Sequence, residues 1–195
     1  AAAVYMALER DVDGVLIAGD LFDNQRLSLA TERFLVQTLS RLEAAGIPVW
    51  YATGNHDPGQ AGTPRDNLAW PGNMTLFHDP RPVTVPLLDK QGRQIAWLTG
   101  AGHGRQREGR NLALAFPRAR TDLPHVAMLH TQVLSCAANK EHDCYAPCSE
   151  LDLERSGFAY WALGHVHQRQ RVSQRVPAWY PGNLQGRNPK EQGLK

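Results

Sequence analysis

Four side chains of metal-binding type each follow a short apolar run in this sequence: Asp20, Asn55, His130 and His165. Runs that are apolar on both faces are typical of buried strands, and the carboxyl ends of parallel strands meet at one edge of a sheet. We therefore expect the four side chains to lie close together. Carboxylate, amide oxygen and imidazole suit Mn, Fe or Zn, whereas thiolates select softer sites. The pattern predicts a divalent metal centre.

A second histidine, His167, follows His165 after one residue. If this segment is extended, the two imidazoles point to the same side about 7 Å apart, so each could serve one of two neighbouring ions. The carboxylate of Asp20 could bridge such a pair. Two ions about 4 Å apart activate a bridging water and hold both oxygens of an in-line phosphoryl displacement. The set therefore suggests phosphoester hydrolysis.

A further histidine, His56, comes next in the chain to the amide ligand. Asp23, three residues beyond Asp20, could accept its Nδ1–H and hold an imidazolium for acid catalysis. Taken singly, each of these polar residues is more often a turn residue or a surface group. Their repeated position after apolar runs favours the functional interpretation.

The elements that would position these residues alternate between strand and helix. The apolar run at 14–18, a helical pattern over 28–45 and the apolar run at 47–52 predict a parallel βαβ unit. Together with a helix over 1–11, this predicts an α/β fold, which some schemes class as α+β. The remaining predicted elements are strands at 74–77, 81–85, 94–98, 125–129 and 158–163, short helices at 110–116 and 149–155, and a hairpin at 170–180.

The composition excludes several classes of protein. Hydrophobic residues make up 42% of the 195, which is enough for a core and excludes wholesale disorder. The 21 Lys and Arg nearly balance the 19 Asp and Glu, so the chain is not polybasic. No apolar run approaches the ~18 residues of a membrane span. Three cysteines argue against a disulfide framework and suit a reducing compartment, so we expect a cytoplasmic protein.

The ordered motifs of the chain resemble those of the calcineurin-like metallophosphoesterase superfamily. The motifs are Gly19–Asp23, Gly54–Asp57, the lone His130 and Gly164–His167. The form of the first motif and the stretch 180–187 resemble the DNA-repair exonuclease branch, of SbcD type, and within it the YhaO-like group. This resemblance implies a four-layer α-β-β-α sandwich that hydrolyses DNA as an exonuclease subunit.

The resemblance also implies a role for each matching residue. Asp20 corresponds to the bridging ligand, and His167 to a ligand of the first metal. Asn55, His130 and His165 correspond to ligands of the second metal. His56 corresponds to the catalytic histidine, and Asp23 to its partner. The implied cofactors are two divalent ions, with Mn as the working metal and Fe, Zn or Mg as alternatives. The implied partners are DNA and a coiled-coil ATPase of SbcC type, with a homodimer also compatible.

One motif of the superfamily is absent from this chain. The opening Asp-x-His motif, which would supply two further ligands of the first metal, should lie upstream of Gly14. We interpret 1–195 as one nuclease domain whose first strand is truncated and which lacks a C-terminal capping domain. We therefore expect an incomplete first metal site, held by Asp20 and His167 alone, and weak or no phosphodiester hydrolysis.

Arginines near the predicted centre are candidates for substrate binding. Arg105 and Arg107 precede the His130 strand, and Arg187 follows the last predicted hairpin. Such side chains suit contacts with a phosphate backbone, but they equally suit a solvated loop surface. We take these three as substrate-binding candidates.

The cysteines lie in one segment, with Cys136, Cys144 and Cys148 close to His142. They lack the Cys-x-x-Cys spacing of structural zinc sites, which favours free thiols over zinc. Among the other histidines, His103 follows a predicted strand and could contact substrate, but we take it as an ordinary loop residue. We take His78 and His125 as structural.

Two other functions are compatible with the sequence. One is hydrolysis of a small phosphomonoester or cyclic nucleotide within the same superfamily. The other is a non-catalytic subunit that binds DNA or the ATPase. The His56 and Asp23 pair argues against the second, because a scaffold needs no acid.

Overall fold

The computed structural model describes residues 1–23, 28–62, 66, 68–136 and 144–184. Within these residues the helices are α1 (Ala2–Glu9), α2 (Leu29–Ala44) and α3 (Glu150–Arg155), with a short 3-10 helix at Leu112–Ala115. The strands are β1 (Val15–Ala18), β2 (Val49–Ala52), β3 (Met74–Phe77), β4 (Val83–Leu88), β5 (Gln94–Ala101), β6 (His125–His130), β7 (Tyr160–Gly164), β8 (Gln170–Ser173) and β9 (Ala178–Tyr180).

The first sheet is the predicted parallel βαβ unit with one strand added. Its order is β1-β2-β3, and Val15 pairs with Val49 in parallel register. The crossover helix α2 begins where the Ser28 hydroxyl accepts a hydrogen bond from the Thr31 N–H, which satisfies one of the free donors of the first turn. It ends before Gly46, whose φ of 67° turns the chain into β2.

The second sheet has the order β4-β5-β6-β7-β9-β8. Its four central strands, β5, β6, β7 and β9, are parallel, and β4 and β8 pair antiparallel at the two edges. The parallel strands carry the buried apolar runs, because both of their faces are covered. Each antiparallel edge comes from a hairpin, and the hairpin of β8 and β9 is the one predicted at 170–180.

The two sheets pack face to face between outer helices. Successive side chains of β2 point to opposite faces, as the strand geometry requires. Val49 joins the core beneath α1 and α2, and Trp50 and Ala52 join Leu98 of the other sheet in the core between the sheets. The inner core therefore holds the two sheets in a fixed relation, which the site described below requires.

The outer face of the second sheet is covered by α3 and the 3-10 helix. Its core contains a group of aromatic rings in which the ring centroid of Trp161 lies 4.9 Å from that of Phe116 and 5.2 Å from that of Phe158. A capping box between Ser149 and Asp152 begins α3. With helices on both outer faces, the predicted four-layer α-β-β-α arrangement is confirmed.

The largest differences from the predicted strand boundaries are at β4 and β5. The strand expected at 81–85 is Val83–Leu88, and the strand expected at 94–98 continues to Ala101. The physical reason is pairing, because β5 lies between β4 and β6 and is hydrogen-bonded to a strand on each side. No helix in the described part of the chain is long and apolar enough to cross a membrane.

Candidate metal centre

The site lies where the carboxyl ends of strands from both sheets meet. β1 of the first sheet contacts β6 and β7 of the second. The two sheets approach closely at Gly164, where an added Cβ would overlap the main-chain carbonyl of Ala18. Only glycine fits at this position, because the two backbones approach without room for a side chain. The residues that follow these strands are therefore delivered to one place.

Three predicted ligands come together at this edge. One ligand atom from each of Asp20, His130 and His165 lies within 4.8 Å of the others. A carboxylate oxygen of Asp20 is 3.3 Å from Nε2 of His130, and the amide oxygen of Asn55 is 3.0 Å from the same nitrogen. Oxygen and imidazole ligands converging from four separate segments fit a divalent ion of the Mn, Fe or Zn type.

The orientation of the His130 ring leaves one nitrogen for an ion. Nδ1 lies 2.8 Å from the carbonyl oxygen of Ala18, which can only accept, so Nδ1 carries the proton and donates. Nε2 is thereby turned towards Asp20 and Asn55. A hydrogen bond from the second ring nitrogen to a carbonyl is the usual way in which proteins orient a metal-binding histidine.

The charges around His130 favour a cation at this point. Burial penalises the ionised form of Asp20, but the adjacent imidazole of His130 outweighs it and holds the pKa of Asp20 well below its usual range. Burial also acts to lower the pKa of His130, and the Asp20 carboxylate reverses this effect, so that the pKa is raised. The pair thus stabilises a positive charge between its atoms, which a metal ion could supply in place of the proton.

Two of the clustered residues have a positive φ, a backbone conformation that residues other than glycine rarely adopt. Asp20 has a φ of 54° and His165 a φ of 104°. Each such conformation costs about 1–3 kcal/mol and persists only where surrounding contacts impose it. Gly19, with a φ of 92°, precedes Asp20, and a Cβ there would overlap the His130 ring. The chain is therefore held in an unfavourable conformation at the point where its ligands converge.

The carboxylate of Asp57 supplies much of that constraint. Asp57 is buried, and its oxygens accept from the main-chain N–H groups of Asp20 (3.1 Å), Leu21 (2.6 Å), Phe22 (3.3 Å) and Gly54 (2.6 Å) and from the Tyr51 hydroxyl (2.5 Å). It therefore ties the turn after β1 to the turn after β2. Burial, followed by the negative charge of Asp20, raises the pKa of Asp57.

The predicted acid pair is formed beside this cluster. Nδ1 of His56 lies 2.9 Å from a carboxylate oxygen of Asp23. Both side chains are about two-fifths exposed, so the imidazole stands at the rim rather than in the core. The main-chain N–H of His56 also donates to Asp20 at 3.0 Å. The pair can therefore hold and deliver a proton next to the candidate metal ligands.

The segment from His165 to His167 differs from the extended form considered above. β7 ends at Gly164, and the φ of His165 bends the chain at once. His167 lies outside the three-ligand cluster, and its carbonyl accepts from the Asn183 N–H at 3.0 Å. The ring of His165 also contacts the ring of Tyr145 edge to face, with centroids 5.9 Å apart.

The remaining candidates lie around or away from the cluster. The side chains of Arg105 and Arg107 are exposed, and Arg187 lies outside the described residues. Cys136, Cys144 and Cys148 are free, as the sequence favours, and burial raises the pKa of the Cys148 thiol to about 12.

Two residues near the centre were missed or misjudged in the sequence. Asp57 appeared only as the end of a motif, although an acidic residue next to His56 in the turn after a buried strand was the available signal. His103 was taken as an ordinary loop residue, but it is fully buried, with its ring 5.3 Å from that of His130. No local pattern predicts the burial of His103, because the residues on either side of it are glycines.

Comparison of the sequence with known proteins finds a matching family and similar proteins. The model of the family described as calcineurin-like phosphoesterase matches residues 2–169. The chain is 40% identical over 192 residues to the protein named "Uncharacterized metallophosphoesterase YhaO" of Bacillus subtilis (strain 168), a match that covers 97% of this chain and 45% of that protein. It is 32% identical over 193 residues to the "DNA double-strand break repair protein Mre11" of Aeropyrum pernix, covering 93% of this chain and 46% of that protein.

The chain thus spans a little less than half the length of these two relatives. A solved structure, that of TT1561 of Thermus thermophilus, matches 93% of this chain and 81% of its own with a TM-score of 0.49 and 13% identity. The assignment rests on the sequence matches, since the family model covers most of the chain, including the segments that carry Asp20, Asn55, His130 and His165. The chain belongs to the calcineurin-like phosphoesterase family.

Proposed function

We propose that this protein is a divalent-metal-dependent phosphodiesterase that hydrolyses DNA, as an exonuclease subunit of a repair complex. The observation that carries the proposal is the convergence of Asp20, His130 and His165 beside the His56–Asp23 pair. A cation site alone would suit a storage or structural role. A cation site with a hydrogen-bonded, half-exposed imidazole at its rim suits hydrolysis of a phosphoester.

In this proposal Asn55, His130 and His165 would hold the ion of the second site, Asp20 would contribute to both sites, and His167 would contribute to the first. Members of the family bind divalent metal ions, and we propose Mn as the working metal. Bound ions would supply Lewis acidity, which lowers the pKa of water and neutralises charge on phosphoryl oxygens. Since these residues provide only Asp20 and His167 for the first site, we propose that the 195 residues alone bind one ion better than two.

The acid step falls to His56. Its Nδ1–H donates to Asp23, which fixes the orientation of the ring. The opposite nitrogen, Nε2, can then give its proton to the leaving oxygen of the phosphodiester. Asp23 is a positioning residue in this step, because it acts through the imidazole.

DNA as the substrate is supported by the relative named as a DNA double-strand break repair protein. The exposed side chains of Arg105 and Arg107 could contact phosphates along the backbone. We propose the same role for Arg187. By the resemblance of the motifs, we propose a coiled-coil ATPase of SbcC type as partner and a homodimer as a further assembly. From the three cysteines, we propose a cytoplasmic location.

The test is a cleavage assay on the full-length protein with Mn and with Mg. Release of nucleotides from the ends of duplex DNA, lost in the His56→Ala variant while the metal stays bound, is the expected result. Turnover of a small chromogenic phosphodiester without any action on DNA would contradict the DNA substrate. It would favour the second candidate, a small-phosphoester hydrolase, which the relative named only as a metallophosphoesterase keeps open.

A further inference from the structure

His103 lies at the junction of the two sheets, with its ring centroid 5.3 Å from that of the candidate ligand His130. It stands two residues beyond the end of β5, and its side chain is fully buried. Burying an imidazole costs more than burying an apolar side chain of the same size, since its polar atoms lose water. A buried histidine at this position therefore calls for a specific partner.

The main chain of His103 is fastened to the first sheet. Its N–H donates to the carbonyl of Thr53 at 3.0 Å, and its carbonyl accepts from the Thr53 hydroxyl at 2.9 Å. The Gly59 N–H donates to the same carbonyl at 2.6 Å. Thr53 is two residues before Asn55, so these bonds hold His103 to the loop that carries one candidate ligand.

The side chain of His103 is fastened to the second sheet. Nε2 lies 2.8 Å from the main-chain carbonyl of His130. A carbonyl can only accept, so Nε2 carries a proton and donates to it. Nδ1 of His103 makes no hydrogen bond within the described residues. Within the described residues, the bond to the His130 carbonyl is therefore the hydrogen bond that the His103 ring makes.

These bonds connect the backbones of two candidate ligands that belong to different sheets. The amide oxygen of Asn55 and Nε2 of His130 are 3.0 Å apart, and an ion held by both requires that this separation stay fixed. We infer that His103 is a positioning residue for the metal centre, which sets the peptide plane of His130 relative to the loop of Asn55. This inference rests on the proposed function, in which both residues hold an ion.

The test compares His103→Gln with His103→Leu in the full-length protein. The glutamine amide can place an N–H near the position of Nε2, and leucine has a similar size without a donor. We expect His103→Leu to weaken Mn²⁺ binding by about 10-fold or more, in the range found for residues that orient metal ligands. We expect His103→Gln to recover most of that affinity. The visible spectrum of the Co²⁺ form should shift in His103→Leu and return in His103→Gln.

A matched control separates positioning from general loss of stability. His125, another buried histidine, lies at the opposite end of the same strand as His130, β6. His125→Leu should lower the free energy of unfolding in urea without changing Mn²⁺ affinity. An equal loss of affinity in His125→Leu and His103→Leu would overturn the inference, as would wild-type affinity and Co²⁺ spectrum in His103→Leu.

Two further variants keep the test decisive. If His103→Leu does not fold, Thr53→Val removes the hydroxyl bond to the His103 carbonyl and should also weaken Mn²⁺ binding; unchanged affinity there contradicts the inference.

His130→Ala tests the proposed function itself. If His130→Ala binds Mn²⁺ like the wild type, the proposed metal centre is wrong. If it loses Mn²⁺ while His103→Leu retains it, only the role of His103 is wrong.

Discussion

The hydroxyl of Tyr51 donates a 2.5 Å hydrogen bond to the carboxylate of Asp57, and neither residue has appreciable contact with solvent. Tyr51 lies in β2, and Asp57 receives four main-chain donors from the turns after β1 and β2. Among these five donors to the buried Asp57 carboxylate, Tyr51 donates through its side chain, and the other four donate through main-chain N–H groups. This relationship connects the stability of the core to the shape of the metal centre.

Replacement of Tyr51 by Phe should destabilise the protein. The change removes one hydrogen bond to a buried carboxylate, which is worth about 1–3 kcal/mol. Urea unfolding of the metal-free protein measures the loss. The matched control is Tyr5→Phe, because Tyr5 is 59% exposed and stacks with the Arg41 guanidinium through its ring rather than its hydroxyl. Equal stability of the Tyr51→Phe protein and the wild type would show that the bond contributes nothing.

The variant His56→Ala should lose activity and keep its metal. Removal of a general acid lowers the rate by about 100- to 10,000-fold. Asp23→Asn should lose less, since the ring remains and only its orientation and charge stabilisation suffer. The readouts are the DNA-cleavage rate and the Mn content of each variant. His78→Ala, an exposed histidine after β3, serves as the control. An unchanged rate in metal-loaded His56→Ala would refute its assignment as the acid.

Metal binding should stabilise the fold through His165 more than through His167. Saturation at 100 times the dissociation constant adds about 2.7 kcal/mol to the free energy of unfolding. We expect His165→Ala to abolish the rise in melting temperature on adding Mn²⁺, because His165 belongs to the three-ligand cluster. His167→Ala should retain most of it in the 195-residue chain. The reverse order would contradict the assignment of the two histidines.

The stability of the fold should decline below pH 6.5 through His125. Its Nδ1 accepts from the Arg120 N–H and its Nε2 bonds to the Thr99 hydroxyl, so the neutral ring is the bonded form. Burial, and then the positive charge of Arg120, lower the pKa of His125, with Asp122 opposing them. A lowered histidine pKa contributes stability above the unfolded value of about 6.5, and that contribution is lost as the pH falls towards the folded value.

The variant His125→Asn measures this contribution. Its amide oxygen can replace Nδ1 as acceptor, but it does not titrate. Urea unfolding between pH 7.5 and 5 should show a shallower loss of stability in the variant than in the wild type. Parallel curves would mean that His125 titrates alike in the folded and unfolded states.

DNA binding should depend on Arg105 and Arg107 through charge. Each lost phosphate contact lowers the slope of log affinity against log salt by about 1 and weakens binding to all sequences alike. Fluorescence anisotropy with labelled duplex DNA over a range of salt concentrations gives both quantities. Arg41→Ala, on the outer helix α2, is the control and should leave the slope unchanged. A wild-type slope in the Arg105→Ala, Arg107→Ala double variant would remove both residues from the DNA surface.

Much of the fold was predictable because short apolar runs in the sequence indicate its strands. The apolar runs before Asp20 and His130 became parallel strands, half-buried in the first case and almost fully buried in the second, since residues that are apolar on both faces are stable only between two layers. The polar residue after each run then had to lie at the carboxyl edge. The gathering of Asp20, His130 and His165 follows from this rule, and it required no knowledge of side-chain packing.

The sequence by itself therefore determined which residues reach the edge and what chemistry they bring. Only the tertiary structure decided how they are held. Asp57 accepts from residues 35 to 37 positions away, and His103 bonds to Thr53 and His130, 50 and 27 positions away. Contacts between such distant residues leave no periodic signal in the chain, because their partners are main-chain groups that every residue carries. Which of these groups meet depends on the packing of one sheet against the other.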